Sequence, residues 1–450
     1  MSADAIRAYH DLLAADPALA ADSQAALDKG QETRELVYAR RAVCGVLRPR
    51  FLSPGQYRCL HDRVKALLPA FQLAHDRALA DLGFRRQFRL AEWEEELLAI
   101  DPGFRDPSPT SRFDAFFGSE QDLRFTEFNT EAPAGAGYSD SLARLFHGVP
   151  VFQEFGRQYQ VWAVLARPGV LHALMDAYKQ WRGNTSDPPR VAILDWRDSP
   201  TFAEFVLFYD FFKVMGIEAR IVDPRDVEYR SGKLLAGDYV INLVYNRVPT
   251  CELIARGGRE HPVVLAASHR AACVVNSFRS RLLGKRASVA VLSDERNAAL
   301  FTPDQLQMIA AHIPWTRVVE DRRTMFEGAE IDLVPFVLAN KERLVLRPND
   351  GRGAEGMVPG WSVDSGTWEA AVRVALTEPF VVQEKVGLPA EPFPVFEGGA
   401  LQIRDQFVDT SPFVAFGSFM HGCLTRIAPD APVNVATGGS VVPTFVVEAR

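Results

Sequence analysis

The sequence predicts a mixed α/β (α+β) fold with an N-terminal helical region, a small doubly wound α/β lobe and a strand-rich remainder. Three observations predict it. Apolar residues recur at helical spacing before residue 105; between 190 and 244 short apolar runs alternate with a helix; from 343 onward short β-runs are separated by glycine turns. A chain of 450 residues with 47% hydrophobic residues can bury a large core, and its length suggests two or three domains.

Residues 1–20 read as a polar, alanine-rich helix, and 57–82 and 91–100 carry further helical periodicity. A proline-rich stretch at 101–109 closes this region. Two apolar-rich strands follow, 112–117 and 123–129, around the turn residues 118–122. Strand side chains alternate faces, so Arg112 and Asp114 share a face, as do Glu127 and Asn129. If the two faces coincide, an Asp, a Glu and an Asn oxygen meet beside an Arg. Hard oxygen ligands of this kind suit Mg²⁺ completed by substrate phosphates. A half-exposed hairpin turning its charges to water is the plain alternative. The small-residue loop 131–140 follows, with Thr130, Glu131 and Ser139 as candidate substrate contacts or as parts of a connector. Helices over 141–181 then lead to a polar linker at 183–189.

The next stretch alternates: strand 190–194, helix 201–215, strands 218–222 and 239–244. That order implies a parallel sheet, with Asp195, Asn246 and Arg247 just past strand C-termini, where such sheets bind ligands. The lobe is either an acceptor-substrate platform or purely structural. Residues 276–286 form a basic turn and helix from which Lys285 could reach a phosphate. Thr302-Pro-Asp-Gln is a capping box, which makes Asp304 structural.

The β-run 344–346 is followed by Arg347 and by Gly351, Gly353 and Gly356. Glycines let backbone N–H groups approach phosphates closely. The string is no dinucleotide fingerprint, because strand and turn residues follow where a helix must open. Without Gly-Lys-Ser/Thr it is no P-loop either. A flap joining two strands fits better, although the other signatures of a protein kinase are missing. Residues 380–386 form a strand that turns polar and breaks at Gly387 and Pro389; it can offer backbone groups to an adenine edge, with Glu384 near the ribose or amino group.

Together these segments resemble ATP-grasp ligases in the circularly permuted order of glutathionylspermidine synthetase-like proteins, over residues 110–140 and 275–447. The resemblance implies an ATP-grasp fold and a set of roles. Arg112 would touch phosphate; Asp114, Glu127 and Asn129 would bind Mg²⁺; Lys285 would contact phosphate. Gly351, Gly353 and Gly356 would form the flap, and Gln383, Glu384 and Val386 would line the adenine. Leu424-Thr-Arg426 and the later Gly438-Gly439-Ser440 match the family's ending, with Arg426 facing an acyl phosphate. Arg347 departs from the pattern, since the family usually has Lys there. It keeps the charge as a planar fork, and either fills the lysine's role or turns to a carboxylate such as Glu355 or Glu384. The implied activity is ATP- and Mg²⁺-dependent ligation of a small-molecule carboxylate to an amine (or thiol) through an acyl phosphate. A small-molecule phosphotransferase and a catalytically degenerate nucleotide-binding scaffold are the alternatives.

Composition narrows the classes further. A net charge of −7 shows no nucleic-acid footprint, and no run approaches the ~20 apolar residues of a membrane span. Five cysteines without a CxxC pair argue against a disulfide framework, and nine scattered histidines form no zinc pattern. With no secretory signal pattern, a cytoplasmic location is expected. The organisation expected is a helical region at 1–105, a metal-binding part at 106–182, the lobe at 188–275 and a nucleotide-binding part at 276–450. No residue reads a particular carboxylate, amine or oligomeric state.

Overall fold

The computed structural model describes residues 2–119, 121–184, 186–351 and 355–450. Its chain opens with two helices, α1 (Ser2–Ala15) and α2 (Pro17–Thr33). Asp16 separates them, its carboxylate accepting from the amides of Ala18 and Leu19 at 2.9 and 3.1 Å, with Pro17 pre-set for the first turn. A short strand, β1 (Arg50–Leu52), precedes α3 (Pro54–Ala80), which starts from a capping box between Ser53 and Gln56.

The expected hairpin forms as β2 (Thr110–Phe117) and β3 (Leu123–Asn129). After it comes α4 (Ala136–Phe146), so the loop at 131–140 is half helix. Between the helices expected over 141–181 the structure inserts a strand, β4 (Tyr159–Ala163), before α5 (Arg167–Arg182). Its side chains are partly covered in alternation, and a final strand pairs with it, a partner far away in sequence.

The lobe comprises β5 (Val191–Leu194), α6 (Phe202–Val214), β6 (Ala219–Val222), β7 (Leu243–Asn246) and β8 (Cys273–Val275), paired in parallel in the order β6-β5-β7-β8. The single strand expected at 239–244 is divided. Tyr239–Ile241 joins a separate antiparallel sheet, and Asn242 turns its side chain to the Arg190 amide at 2.6 Å.

A four-stranded antiparallel sheet follows, made of β9 (Thr316–Val318), β10 (Leu344–Pro348), β11 (Val358–Pro359) and β12 (Phe380–Glu384) in the order β9-β12-β10-β11. The glycine loop joins β10 to β11, which pair antiparallel as a flap requires. The link 385–389 then crosses to the largest sheet: β13 (Ala390–Glu397), β14 (Ala400–Ala415), β15 (Phe419–Ala428) and β16 (Ser440–Val442) join the hairpin in the order β16-β15-β14-β2-β3, with β13 on the first half of β14. The last strand, β17 (Thr444–Ala449), lies between β1 and β4.

The hairpin's two faces have opposite tasks. Phe113, Phe117, Phe125 and Phe128 point into a core shared with Leu67, Leu68 and Phe71 of α3. The rings of Phe113 and Phe128 stack with centroids 4.1 Å apart. Buried aromatic area of this size contributes several kcal/mol per ring at about 25 cal/mol per Å². The other face carries the charges. Among the described residues no helix is long and apolar enough to cross a membrane.

Candidate functional site

The register settles whether the two charged faces coincide. Arg112 lies opposite Asn129 and Asp114 opposite Glu127, so all four share one face. They stay there because of a bulge: Asp114 pairs with Glu127 but Ala115 pairs with Phe125, leaving Thr126 as an extra residue on β3. The extra residue keeps Phe125 and Phe128 in the core while Glu127 and Asn129 face the charges. It also frees the Thr126 carbonyl, which accepts from Arg347 at 3.2 Å and Gln383 at 3.3 Å across the gap between the two sheets.

Around this face the side chains form one array. The Asp114 carboxylate accepts from Arg112 (2.9 and 2.8 Å), from the Asn129 amide (2.9 Å) and from Arg426 of β15 (2.8 Å). Burial alone would raise its pKa, but the charges of Arg112 and Arg426 hold it well below the usual carboxylate range. Arg426 also donates to Asp409, its cross-strand partner on β14. Burial pushes Asp409 upward, against the pull of Arg426. Glu127 accepts from Arg347 of β10 at 2.5 Å and lies 3.4 Å from Arg286. Arg347 is 8% exposed and also donates to Gln383 of β12 at 2.9 Å. Burial, then the neighbouring Arg286, lower it to about 10, so it remains charged near neutrality.

A second cluster adjoins the first. Lys285, only 2% exposed, donates to Asp350 and lies 2.7 Å from Glu94. Arg281 joins the same two acids and donates to Glu131 at 2.6 Å. Asp350 lies at the foot of the glycine loop, and its side chain is 48% exposed. Burial opposes its ionisation, yet Arg281 and Lys285 lower its pKa. Arg286 donates to the Gly351 carbonyl at 3.2 Å, which ties the loop's first glycine to the array. Gly351 (φ +148°) and Gly356 (φ +67°) take conformations that suit glycine; at Gly356 a Cβ would stand 2.7 Å from Pro348. Gly353 lies outside the described residues.

Of the expected site residues, Arg112, Asp114, Asn129 and Arg426 thus form one hydrogen-bonded group and Glu127, Arg347 and Gln383 a second beside it on the same face, with Lys285 and Gly351 next to them. Gln383 is buried and bonded to Arg347, Thr126 and Thr316, so it joins sheets where an open adenine wall was expected. Glu384 lies apart, half-exposed, 3.5 Å from Arg343, and its amide is taken by the Trp315 carbonyl. Val386 lies on the link between the sheets. Arg347 pairs with neither Glu355 nor Glu384 but with Glu127, an acid read as a metal ligand.

The loop after Asn129 is a buried seam. Thr130 donates to the Ser280 carbonyl at 2.7 Å, Ser139 is buried in α4, and Glu131 is held by Arg281 and Thr250. The amides of Gly135 and Gly137 donate to Glu204 of α6, and Arg247 donates to the Pro133 carbonyl at 2.6 Å. Residues at the C-terminal edge of the lobe's sheet therefore fasten this loop. Asp409, Arg286, Glu94 and Asp350 had no local signal; each is recognisable only through a partner from another element.

The donor set fits a polyanion and does not fit a divalent cation. Mg²⁺ takes near-octahedral oxygen ligands at about 2.0–2.1 Å, which requires carboxylate lone pairs open to it. Both Asp114 oxygens and Glu127 Oε2 are engaged by guanidinium groups. Two unit charges about 4 Å apart at an effective dielectric of about 20 interact by about 4 kcal/mol, and a dication doubles that repulsion for each guanidinium. Arg347 Nε and Arg426 Nε, in contrast, are buried N–H donors with no partner among the described residues.

No family model matches the chain, and no curated protein matches it. Among solved structures the chain is similar to a glutathione synthetase-like effector from Globodera pallida in its apo form. The two are 13% identical, the match covers 96% of this chain and 98% of that one, and the TM-score is 0.58. At this identity the likeness shows a shared fold.

Proposed function

We propose that the chain is an ATP-grasp-type protein in the permuted order, which binds ATP between the four-stranded and six-stranded sheets and uses it to join a carboxylate to an amine or thiol. The observation that carries this reading is the array itself. Side chains from β2, β3, β10 and β15, on two sheets, meet next to a glycine loop. Phosphoryl transfer needs positioning and charge neutralisation more than a protein nucleophile, and guanidinium groups supply both. In the ligation a substrate carboxylate attacks the γ-phosphorus and ADP leaves. The amine or thiol then attacks the acyl phosphate, loses its proton and expels phosphate. Arg426, already among the acids of the array, would face the acyl phosphate. The loop seam and lobe edge would lie nearest the acceptor substrates.

A coupled ADP-release screen over pooled carboxylates and amines tests this. ADP release requiring both partners is the expected result. Release with a hydroxyl acceptor alone would instead indicate a phosphotransferase. A second reading, a nucleotide-binding scaffold without turnover, is favoured by the Glu127–Arg347 pair, which takes up the acid expected to serve a metal. Under that reading ATP raises the melting temperature while no acceptor pool releases ADP.

A further inference from the structure

We infer that this cleft takes its polyphosphate as a bare anion, with the guanidinium of Arg347 standing on Glu127 where a divalent cation would otherwise sit. The inference rests on the proposed nucleotide cleft and specifies the form in which the ligand enters it.

The Arg347–Glu127 contact is built in. Arg347 projects from the middle of β10, and its fork is held by acceptors from two other strands: the Glu127 carboxylate and Thr126 carbonyl of β3, and the Gln383 side chain of β12. The β-bulge turns the Thr126 carbonyl toward it. A surface arginine that had merely found a nearby acid would not have three acceptors on two other strands waiting. Guanidinium is a fixed planar fork that keeps its charge, so the contact does not dissolve on a small change of pH.

The charges support the same conclusion. Arg112, Arg286, Arg347 and Arg426 face Asp114, Glu127 and Asp409, and in the adjoining cluster Arg281 and Lys285 face Glu94, Glu131 and Asp350, so the six acids are already matched by six cations with no metal counted. Arg347 and Arg426 each retain a buried Nε–H without an acceptor among the described residues, though their terminal nitrogens are engaged. Buried donors of this kind need an oxygen, and phosphate oxygens bind guanidinium strongly. A magnesium complex of the same phosphates would bring a dication against these guanidinium groups. A nucleoside triphosphate and inorganic tripolyphosphate share the anionic chemistry and are separated by the nucleoside.

The test uses the full chain. ATP and inorganic tripolyphosphate are titrated by calorimetry at fixed ionic strength, once in EDTA and once in excess Mg²⁺. We expect ATP to bind in EDTA at least as tightly as in Mg²⁺, and tighter than tripolyphosphate. Equal binding of the two anions in EDTA keeps the bare-anion inference and overturns the nucleotide reading. Binding of ATP at least about tenfold weaker in EDTA overturns the inference and leaves the nucleotide cleft standing. No binding in either buffer, by protein with a cooperative melt, overturns both. Arg347→Ala should lose about tenfold or more of the EDTA affinity and regain part of it in Mg²⁺, as Glu127 becomes available. An Ala variant with undiminished affinity in EDTA overturns the inference. If that variant does not fold, Arg347→Lys retains the charge without the fork and should bind in EDTA more weakly than the parent; Mg²⁺-independent affinity equal to the parent's also overturns it.

Discussion

At the scale of single residues, the ion pairs decide what the charged positions do. Removing one partner of a buried pair strands the other, at a cost of about 3 kcal/mol or more. Glu127→Ala should therefore lower stability by about 3 kcal/mol in urea denaturation, and Glu127→Gln, which leaves Arg347 an acceptor, by about half that. Two equally harmless variants would remove the pair from the list of stabilising contacts. Asp106 makes a pH prediction. Its Oδ2 is enclosed with no hydrogen-bond partner among the described residues, Oδ1 accepts from the Ser108 amide at 3.0 Å, and burial pushes the carboxyl up to about 6 despite His75 nearby. Between the unfolded value near 4 and this raised value the folded state holds the extra proton, so this group's contribution falls as pH rises through that window. Asp106→Asn should remove that slope and gain roughly 1–2 kcal/mol on the parent between pH 4 and pH 7. His10 and His421, both lowered to about 4 by burial, tilt the parent the other way, so the comparison is between variant and parent. The alternation of Arg112-x-Asp114 and Glu127-x-Asn129 was readable from spacing alone. The partners were not: Arg347 meets Glu127 from 220 residues away, and nothing near Lys285 in sequence announces that Glu94 and Asp350 enclose it.

At the scale of elements, the hairpin was legible because both periods were present: aromatic residues on one face, charges on the other, turn residues between. The bulge was not, since a single extra residue leaves the composition of the strand unchanged and shows only against its partner's register. β4 was hidden for a similar reason. Its five residues lie between helices, and its strand geometry depends on β17. The antiparallel pair of β10 and β11 was legible from the β-runs on either side of the glycines. The hairpin's stability should depend on its aromatic face. Phe113 is fully buried, stacked on Phe128 and close to Phe71 and Phe125, so Phe113→Ala should cost about 3–5 kcal/mol. Chemical denaturation measures this, and a loss under 1 kcal/mol would show that the rings are not the hairpin's support.

At the scale of the molecule, helical start, alternating lobe and strand-rich remainder follow the pattern the sequence predicts, because each has its own period. How they interlock was beyond local pattern. One apolar core joins α1 and α2 to α4, α5, the lobe and the late strands. β17 is the clearest instance: Thr444 pairs with Arg50 and Phe445 with Ala163, and Phe445 is fully buried against Phe152. A chain ending at residue 443 should therefore lose cooperative thermal unfolding, as followed by circular dichroism; a sharp melt would show that β1 and β4 hold without it. The position of β17 also sets a timetable. On the ribosome the helices can form early, since their hydrogen bonds are local, but β1 and β4 have no strand between them until residue 449 has been made. Until then the edges that β17 covers lack that partner, and unpaired strand edges of this kind are what chaperones shield on a growing chain.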